Sequence, residues 1–400
     1  MARGSIKQRS KGSYFIRVEL EPDPTTGKRR QKAETFTGSK RDAEKRMAEM
    51  VLAADGGMIG TSGRLSVEAF LERWLRDHAE PNLAPMTRVR YANLLRTHVI
   101  PNIGGIPLDK LRPDHILRLQ TALRSAVRGG KITANIDEEG GAKASPIISA
   151  LTSRHAHRVL HTALGYAVRW RLIPINPCAA VKAPSAKPKE MKTWDAEQTR
   201  AFLSKAVVES PRWHAYFTIA LTAGLRMSET AGLRWTDVDL AANSLHIRQT
   251  IQEVPGVGKV VKAPKTAGSR RPVTLGADVV ALLRRYKAWQ NELRLAAGDA
   301  WQTGDLVFTS LTGAPIDPTT IRAALKRIAL AADVPVIRVH DLRHTAATLM
   351  LLAGVNAKVV SERLGHANIS ITLQTYSHVL PTMQHDAAAA LDTLLRGAAV

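Results

Sequence analysis

The chain has 400 residues, 44% of them hydrophobic and 23% charged, which excludes a disordered protein and allows two or three domains. Its 57 Lys and Arg against 35 Asp and Glu give a net charge of +22 and a pI near 10.4, which favours a polyanionic partner such as nucleic acid. Cys178 is the single cysteine, so an internal disulfide and a cysteine-based zinc site are both excluded.

No segment of the sequence indicates a membrane protein. Residues 1–12 are basic and polar without the apolar core of a secretory signal, and no run approaches the roughly 18 apolar residues of a membrane span. We therefore expect no membrane partner and a cytoplasmic, DNA-associated location in a prokaryotic cell.

Residues 1–60 are predicted to form a small two- or three-stranded sheet backed by one helix. A turn is expected at 22–27 and a second strand around 30–36, and Ser39 with Asp42 predicts a capped helix start. The first fifty residues carry 13 Lys and Arg against 7 Asp and Glu, so we expect this region to contact DNA. The first strand is indicated by alternating apolar residues, namely Tyr14, Ile16, Val18 and Leu20.

Residues 64–183 are predicted to be helical, with apolar stripes on four helices and Pro101 ending the second. A Gly-rich, charged segment, 129–146, is interpreted as a mobile insertion without chemistry. Three histidines lie on the fourth helix, namely His155, His157 and His161. His157 and His161 are four residues apart and could contact one metal ion, but a third ligand is missing. This face of the helix is therefore predicted to meet DNA or solvent.

A Pro- and Lys-rich segment, 184–192, is predicted to be an extended linker, with or without phosphate contacts. Residues 193–400 are predicted to contain both helices and strands, with the helices around a strand region at 244–275. A turn at Pro255 and Gly256 should make a hairpin there. No internal repeat is expected.

Four segments of this third region contain candidate catalytic residues. In the first two segments the candidate is a basic residue near a loop. Gly224 breaks a helix just before another begins, so Arg226 should lie at a helix start that favours an anion. Lys265 is expected in the hairpin or its loop, from which an ammonium group can reach a phosphate. His340 and Arg343 are three residues apart on a helix and should share one face.

The last segment holds a histidine and a tyrosine. Gly365 should end a helix and leave His366 at its exit, and Tyr376 follows on a short helical segment. Taken alone, each segment is more typical of surface or packing residues without a catalytic role. Together, in this order and spacing, they resemble the tyrosine recombinase (phage integrase) family, and the match covers the whole third region.

The resemblance implies a role for each matched residue. Arg226 and Arg343 would clamp the scissile phosphate, and Lys265 would act as the general acid. His340 and His366 would hydrogen-bond the phosphate.

Tyr376 matches the nucleophile, and Glu229 and Asp341 would have only supporting roles. A tyrosine oxygen attacks phosphorus, the 5′ hydroxyl leaves, and the 3′-phosphotyrosine link conserves the bond energy. Fixed cations aimed at the non-bridging oxygens should dominate catalysis. We therefore expect no metal, no ATP and no other cofactor.

The resemblance also implies a multidomain architecture, mainly α with small β-sheets. It would comprise an arm-type DNA-binding domain (1–60), a helical SAM-like core-binding domain (64–183), and a mixed α+β catalytic domain with a C-terminal tail (193–400). The tail would link a homotetramer on double-stranded DNA at core-type and arm-type attachment sites. Host proteins that bend DNA or set directionality are further expected partners.

Two other functions remain open at this point. A type IB topoisomerase uses similar chemistry, but the arm-like region and the tail argue against it. A DNA-binding regulator with a dead site is disfavoured because every matched position carries a suitable residue. An integrase for mobile DNA, viral genomes included, is preferred over a resolver of chromosome dimers because the latter generally lack the N-terminal region.

Overall fold

A computed structural model describes residues 3–20, 29–55, 65–124, 127–128, 131–132, 134–136, 142–144, 148–186, 191–264, 267–376, 391–392 and 395. The chain divides into two compact units, Met1–Pro188 and Lys189–Val400. The mainly helical architecture with small antiparallel sheets matches the predicted fold class. Among the described helices, none is long and apolar enough to cross a membrane.

The first unit begins with an antiparallel sheet of order β1-β2-β3, made of Gly4–Ser10, Ser13–Leu20 and Arg30–Thr37, followed by helix α1, Lys40–Asp55. The predicted alternation on β2 is confirmed for Tyr14, Ile16 and Val18, which are buried with Ala43 and Met50 of α1, whereas Leu20 is only partly buried. Strand β1 was not predicted, since it is an edge strand whose mostly exposed residues show no apolar alternation.

The predicted helix start at Ser39 is confirmed. The Asp42 backbone N–H donates to the Ser39 hydroxyl at 3.2 Å, which satisfies one of the first-turn donors of α1. The predicted turn at 22–27 lies outside the described residues.

The remainder of the first unit is a helical cluster with its own apolar core, centred on Phe70, Trp74, Leu95 and Leu160. Four short strands follow in this unit: β4 Val127–Arg128 lies just before the predicted insertion, and β5 Lys131–Ile132, β6 Ala134–Ile136 and β7 Ala142–Ala144 lie within it. The helices are α2 Val67–Trp74, α3 Glu80–Asn82, α4 Pro85–Leu94, α5 Ile100–Ile103, α6 Pro113–Arg124 and α7 Ala150–Arg169.

The prediction that Pro101 ends a helix is wrong. A wide π-type turn at Leu95–Val99 follows α4, closed by the bond from the Ile100 N–H to the Leu95 carbonyl, and α5 continues to Ile103. Pro101 occupies the first turn of α5, where the missing N–H costs little.

No internal repeat was expected, but one eight-residue pattern occurs twice in the first unit. Residues 75–82 (LRDHAEPN) and 95–102 (LRTHVIPN) share the pattern L-R-x-H-x-x-P-N, and both begin with a π-type turn. In both copies the final Asn side chain donates to the His carbonyl four residues earlier, at 2.9 Å from Asn82 and 2.8 Å from Asn102. The repeat is thus one local helix distortion used twice.

The predicted solvated or DNA-facing histidine face of α7 is wrong for one residue. His157 is buried, with Gln120 Nε2 at 3.1 Å from its Nδ1, and burial lowers the pKa of His157. His161 is exposed. No group of three potential metal ligands occurs in the parts of the chain that the structure describes.

The second unit packs helices around two small sheets, a three-stranded sheet of order β12-β9-β8 and the hairpin β10-β11. Its strands are β8 Val238–Asp239, β9 Ser244–His246, β10 Thr250–Val254, β11 Gly258–Lys262 and β12 Pro272–Thr274. Its helices are α8 Ala196–Glu209, α9 Pro211–Thr222, α10 Met227–Ala231, α11 Ala277–Ala297, α12 Pro318–Ala331, α13 Val339–Leu352, α14 Ala357–Leu364 and α15 Ile369–Tyr376.

The predicted hairpin is confirmed, with Thr250 opposite Lys262 and Val254 opposite Gly258. The main core of the unit surrounds α9, and a smaller apolar cluster joins α13, α14 and α15. That smaller cluster consists of Ala347, Leu351, Val360, Leu364 and Tyr376. It anchors α15, and with it the candidate nucleophile, against the helix that carries His340 and Arg343.

Candidate active site

The break between α9 and α10 positions the first arginine. Gly224 has φ +63°, and a Cβ there would come within 2.6 Å of Leu364 Cδ2, so glycine is required for both conformation and space. Arg226 is the residue before α10. Its backbone N–H donates to Glu229 Oε2 at 3.0 Å, and its guanidinium donates to Glu229 Oε1 at 2.6 Å.

Glu229 holds a second guanidinium on its other side. Its side chain is 2% exposed, and Arg271 donates to it at 3.2 Å. Burial alone would raise the pKa of Glu229, but the charges of Arg271 and Arg226 together hold it below its ordinary value. One buried carboxylate therefore fixes two cations.

Arg343 is buried and held by backbone carbonyls. Its two terminal nitrogens donate to the Gly224 carbonyl at 2.8 Å and the Leu364 carbonyl at 2.6 Å. Burial, with the nearby charge of Arg226, lowers the pKa of Arg343 to about 9. The side chain stays protonated at neutral pH, and an anion beside it would relieve the cost of this buried charge.

Tyr376 ends α15 with its ring in the small apolar cluster, 1% exposed. Burial raises the pKa of Tyr376 to about 12, although the charge of Arg343 opposes the rise. Its hydroxyl lies 2.7 Å from Nδ1 of His344. Since burial lowers the pKa of His344 to about 4, the imidazole is neutral and the phenol donates this hydrogen bond.

His340 lies one turn before His344 on α13, with ring centroids 4.9 Å apart and planes at 89°. Desolvation and the charge of Arg343 lower the pKa of His340. A neutral imidazole keeps one N–H and can donate it to a substrate oxygen.

His366 follows the αL residue Gly365, which ends α14 with φ +67°. Its Nδ1 lies 2.7 Å from the Thr372 hydroxyl, and burial lowers the pKa of His366 to about 4. Because Thr372 occupies Nδ1, Nε2 is the nitrogen available to a ligand.

One open pocket of about 560 Å³ joins these groups. Five of the six catalytic residues predicted from sequence line it: Arg226, His340, Arg343, His366 and Tyr376. The sixth, Lys265, lies outside the described residues. Its neighbours Pro264 and Ser269 both line the pocket.

Two residues of this neighbourhood were missed as functional candidates. His344 contacts the Tyr376 hydroxyl, and its position four residues after His340 was the available signal. Arg271 supports Glu229, which only the tertiary structure reveals. Glu229 and Asp341, predicted to be supporting, are both buried at the starts of α10 and α13.

Two family models match the sequence. The phage integrase family matches residues 192–383, and the phage integrase N-terminal SAM-like domain matches residues 66–124. Together they cover more than half of the chain and include all six predicted catalytic positions. The chain belongs to the phage integrase family of tyrosine recombinases. It is accordingly a site-specific recombinase, an enzyme that breaks and rejoins DNA strands.

Curated relatives agree along most of the chain. A "Tyrosine recombinase XerC-like" protein of Caldanaerobacter subterraneus is 27% identical over 401 aligned positions, covering 96% of this chain and 97% of the relative. The ICEBs1 integrase of Bacillus subtilis is 30% identical over 229 positions, covering 57% of this chain and 62% of the relative.

Solved structures share the fold of this tyrosine recombinase. The Tn1549 transposon integrase in complex with transposon right end DNA aligns with a TM-score of 0.63 at 21% identity, covering 82% of this chain and 99% of that chain. A lambda integrase tetramer bound to a Holliday junction aligns with a TM-score of 0.53 at 16% identity, covering 91% of this chain and 95% of that chain.

Proposed function

We propose that this recombinase is the integrase of a mobile element, and that it cuts DNA by attack of the Tyr376 hydroxyl on a backbone phosphate. The supporting observation is one pocket that combines this hydroxyl with Arg226, Arg343, His340 and His366. Integration and excision are both sequences of such strand exchanges.

In the proposed reaction the two arginines bind the non-bridging oxygens of the phosphate. Arg343 is oriented by its two carbonyl partners, and Arg226 by Glu229. Preorganised cations of this kind stabilise the charge of the transition state without rearrangement. A guanidinium also stays charged and can contact two oxygens at once.

The remaining groups handle orientation and protons. His340 and His366 are kept neutral by their lowered pKa values and would donate hydrogen bonds to the phosphate. Lys265 is proposed as the general acid for the 5′ oxygen, from its sequence match and from the pocket position of Pro264 and Ser269.

We propose the other regions as DNA-binding domains. Residues 64–183 would bind the core-type site, residues 184–192 would be a linker, and residues 193–400 would form the catalytic domain and tail. Residues 1–60 would bind the arm-type site. On the outer face of the sheet, the guanidinium carbons of Arg9 on β1 and Arg17 on β2 lie 4.5 and 5.8 Å from the Phe15 ring centroid, a basic and aromatic surface suited to a nucleic acid.

The proposed assembly is a homotetramer on two DNA duplexes, supported by the lambda integrase tetramer that shares the fold. Host proteins that bend DNA or control directionality are proposed from the resemblance alone. Mass photometry on two nicked duplexes would show the assembly as four protein copies with two DNA molecules.

The experiment for the nucleophile uses nicked, labelled duplexes that tile the genomic surroundings of the gene, without metal or ATP. We expect an SDS-stable protein–DNA adduct from one tile, and none from Tyr376→Phe. The matched control is Tyr286→Phe, an equally buried tyrosine of the same unit outside the pocket, which should form the adduct normally.

Two results would contradict the proposal. Tight binding of a tile without an adduct would indicate a DNA-binding regulator. An adduct with relaxation of supercoils but no pairing of two sites would indicate a topoisomerase.

A further inference from the structure

The proton of Tyr376 needs an acceptor when the phenol becomes a phosphate ester, and the residues assigned so far do not supply one. The two arginines stay protonated, Lys265 is assigned to the leaving oxygen, and His340 and His366 are assigned as hydrogen-bond donors to the phosphate. Burial raises the pKa of Tyr376 to about 12, so very little phenolate exists at neutral pH. The attacking oxygen must therefore lose its proton as it reacts.

His344 is placed to take this proton. Its Nδ1 lies 2.7 Å from the Tyr376 hydroxyl, within the reach required of a general base. The two rings are 5.8 Å apart, and α13, which carries His344, is packed against α15 through the small apolar cluster. The contact therefore joins two well-anchored elements.

We propose that His344 is the general base for Tyr376. As the Oη–P bond forms and the P–O5′ bond breaks, the proton leaves Oη for Nδ1 of His344, while the 5′ oxygen receives a proton from the general acid. Rejoining reverses both transfers, since the 5′ hydroxyl attacks the phosphotyrosine and His344 returns its proton to the departing phenolate. Atoms and protons balance over the cycle. This inference rests on the proposed nucleophilic role of Tyr376.

The charge environment keeps His344 in its acceptor form before DNA binds. Burial and nearby cations hold the pKa of His344 near 4, so Nδ1 has a lone pair at neutral pH. A bound phosphate would place negative charge in the same pocket and favour the imidazolium that forms during attack. The titratable and charged groups around His344 are His340, Asp341 and Arg343 on its own helix and Arg338 just before it, with His366 and Tyr376 from the neighbouring elements.

A positioning role predicts a different outcome from a general-base role, and two substitutions separate them. In His344→Asn the amide oxygen can accept the same hydrogen bond but cannot take up the proton. In His344→Ala both functions are lost. If His344 only oriented the tyrosine, His344→Asn would cleave almost as fast as the unchanged protein.

We expect His344→Asn and His344→Ala both to slow adduct formation roughly 100-fold on a nicked duplex that the unchanged protein cleaves. The pH profile should change as well. The unchanged protein should show a nearly level rate between about pH 6 and 9, because the imidazole is already neutral there. The variants should speed up about tenfold per pH unit, because they depend on pre-ionised phenol.

Two further measurements assign the defect to the attacking oxygen. A more acidic fluorotyrosine at position 376 should restore much of the rate of His344→Ala. Replacing the bridging 5′ oxygen of the DNA with sulfur should not, because a thiolate leaving group removes only the need for a general acid. His214→Asn, a half-buried histidine outside the pocket, is the matched control and should cleave normally.

The outcomes are distinguishable. Normal cleavage by His344→Asn, or a level pH profile in His344→Ala, would overturn the proposal while leaving Tyr376 as nucleophile. Rescue by the bridging sulfur would reassign His344 to the leaving group. Absence of any adduct from the unchanged protein on every tile would remove the proposed function, and this inference with it. Circular dichroism and DNA binding of each variant show whether a loss reflects folding.

Discussion

Helices α10 and α13 begin with the same capping arrangement, but only the residue that caps α10 lines the pocket. An arginine precedes each helix, and its backbone N–H donates to a carboxylate three residues on: Arg226 to Glu229 at 3.0 Å, and Arg338 to Asp341 at 2.9 Å. In both, the guanidinium pairs with the same carboxylate, at 2.6 and 2.7 Å.

The two starts differ in their tertiary surroundings. Glu229 is also bound by Arg271, whose side chain is 6% exposed, and Arg226 reaches the Gly365 carbonyl at 3.5 Å. Arg338 is 57% exposed and does not line the pocket. The same local pattern is therefore a capping arrangement in one place and a buried cation network in the other.

The largest expected effect is on stability, through the carboxylates. Glu229→Gln should lower the free energy of unfolding by about 3 kcal/mol, because it leaves the buried Arg271 without its charge partner. Asp341→Asn should cost only about 1 kcal/mol, since its partner is already solvated. Urea unfolding of the full chain measures both, and equal losses would show that the buried network adds nothing beyond capping.

The arginines should differ in catalysis. Arg226→Lys should slow adduct formation roughly 100-fold, because an ammonium cannot bind Glu229 and two phosphate oxygens in the same geometry. Arg338→Lys should stay within about twofold of the unchanged protein, as expected for an exposed pair. Quenched adduct assays on one nicked duplex give both rates, and a comparable loss in Arg338→Lys would contradict the distinction.

A pair of glycines tests how tightly the network is packed. At Gly365, φ is +67° and a Cβ would lie 2.7 Å from an Arg271 nitrogen, so Gly365→Ala should cost about 2 kcal/mol and also slow adduct formation. Gly354→Ala has a similar φ of +77° with open space around it, and should cost about 1 kcal/mol without affecting cleavage. Thermal unfolding and the adduct assay separate strain from crowding.

The smallest expected effect is on the pH dependence of stability. The pKa of Glu229 is lowered in the folded state, so its contribution is present above the ordinary value of 4.5 and is lost as pH falls through the folded value. The stability difference between the unchanged protein and Glu229→Gln should therefore be constant near pH 7 and shrink below about pH 4. If the difference instead grew on acidification, the pKa of Glu229 would be raised rather than lowered in the folded state.

Much of the site could be predicted because its residues are carried by local signals. Glycines at 224 and 365 mark the helix ends, and the spacing of His340 and Arg343 places them on one helical face. The lining of one pocket by these side chains confirms their proximity, while their roles stay predictions.

The failures have local physical causes as well. Pro101 did not end its helix because a π-type turn precedes it, and such a turn has no simple sequence pattern. Strand β1 escaped because an exposed edge strand needs no apolar alternation. The burial of His157 was missed for a different, long-range reason, since its face of α7 packs in the core and its ring contacts Gln120, 37 residues earlier.

By itself the sequence determined the family, the helix starts and ends around the site, and five residues that line its pocket. Only the tertiary structure decided that Glu229 joins Arg226 to Arg271, and that His344 faces the Tyr376 hydroxyl. The physical reason is range. Capping and helical spacing act over three or four residues, whereas these contacts span 42 and 32 residues and exist only when the core brings the elements together.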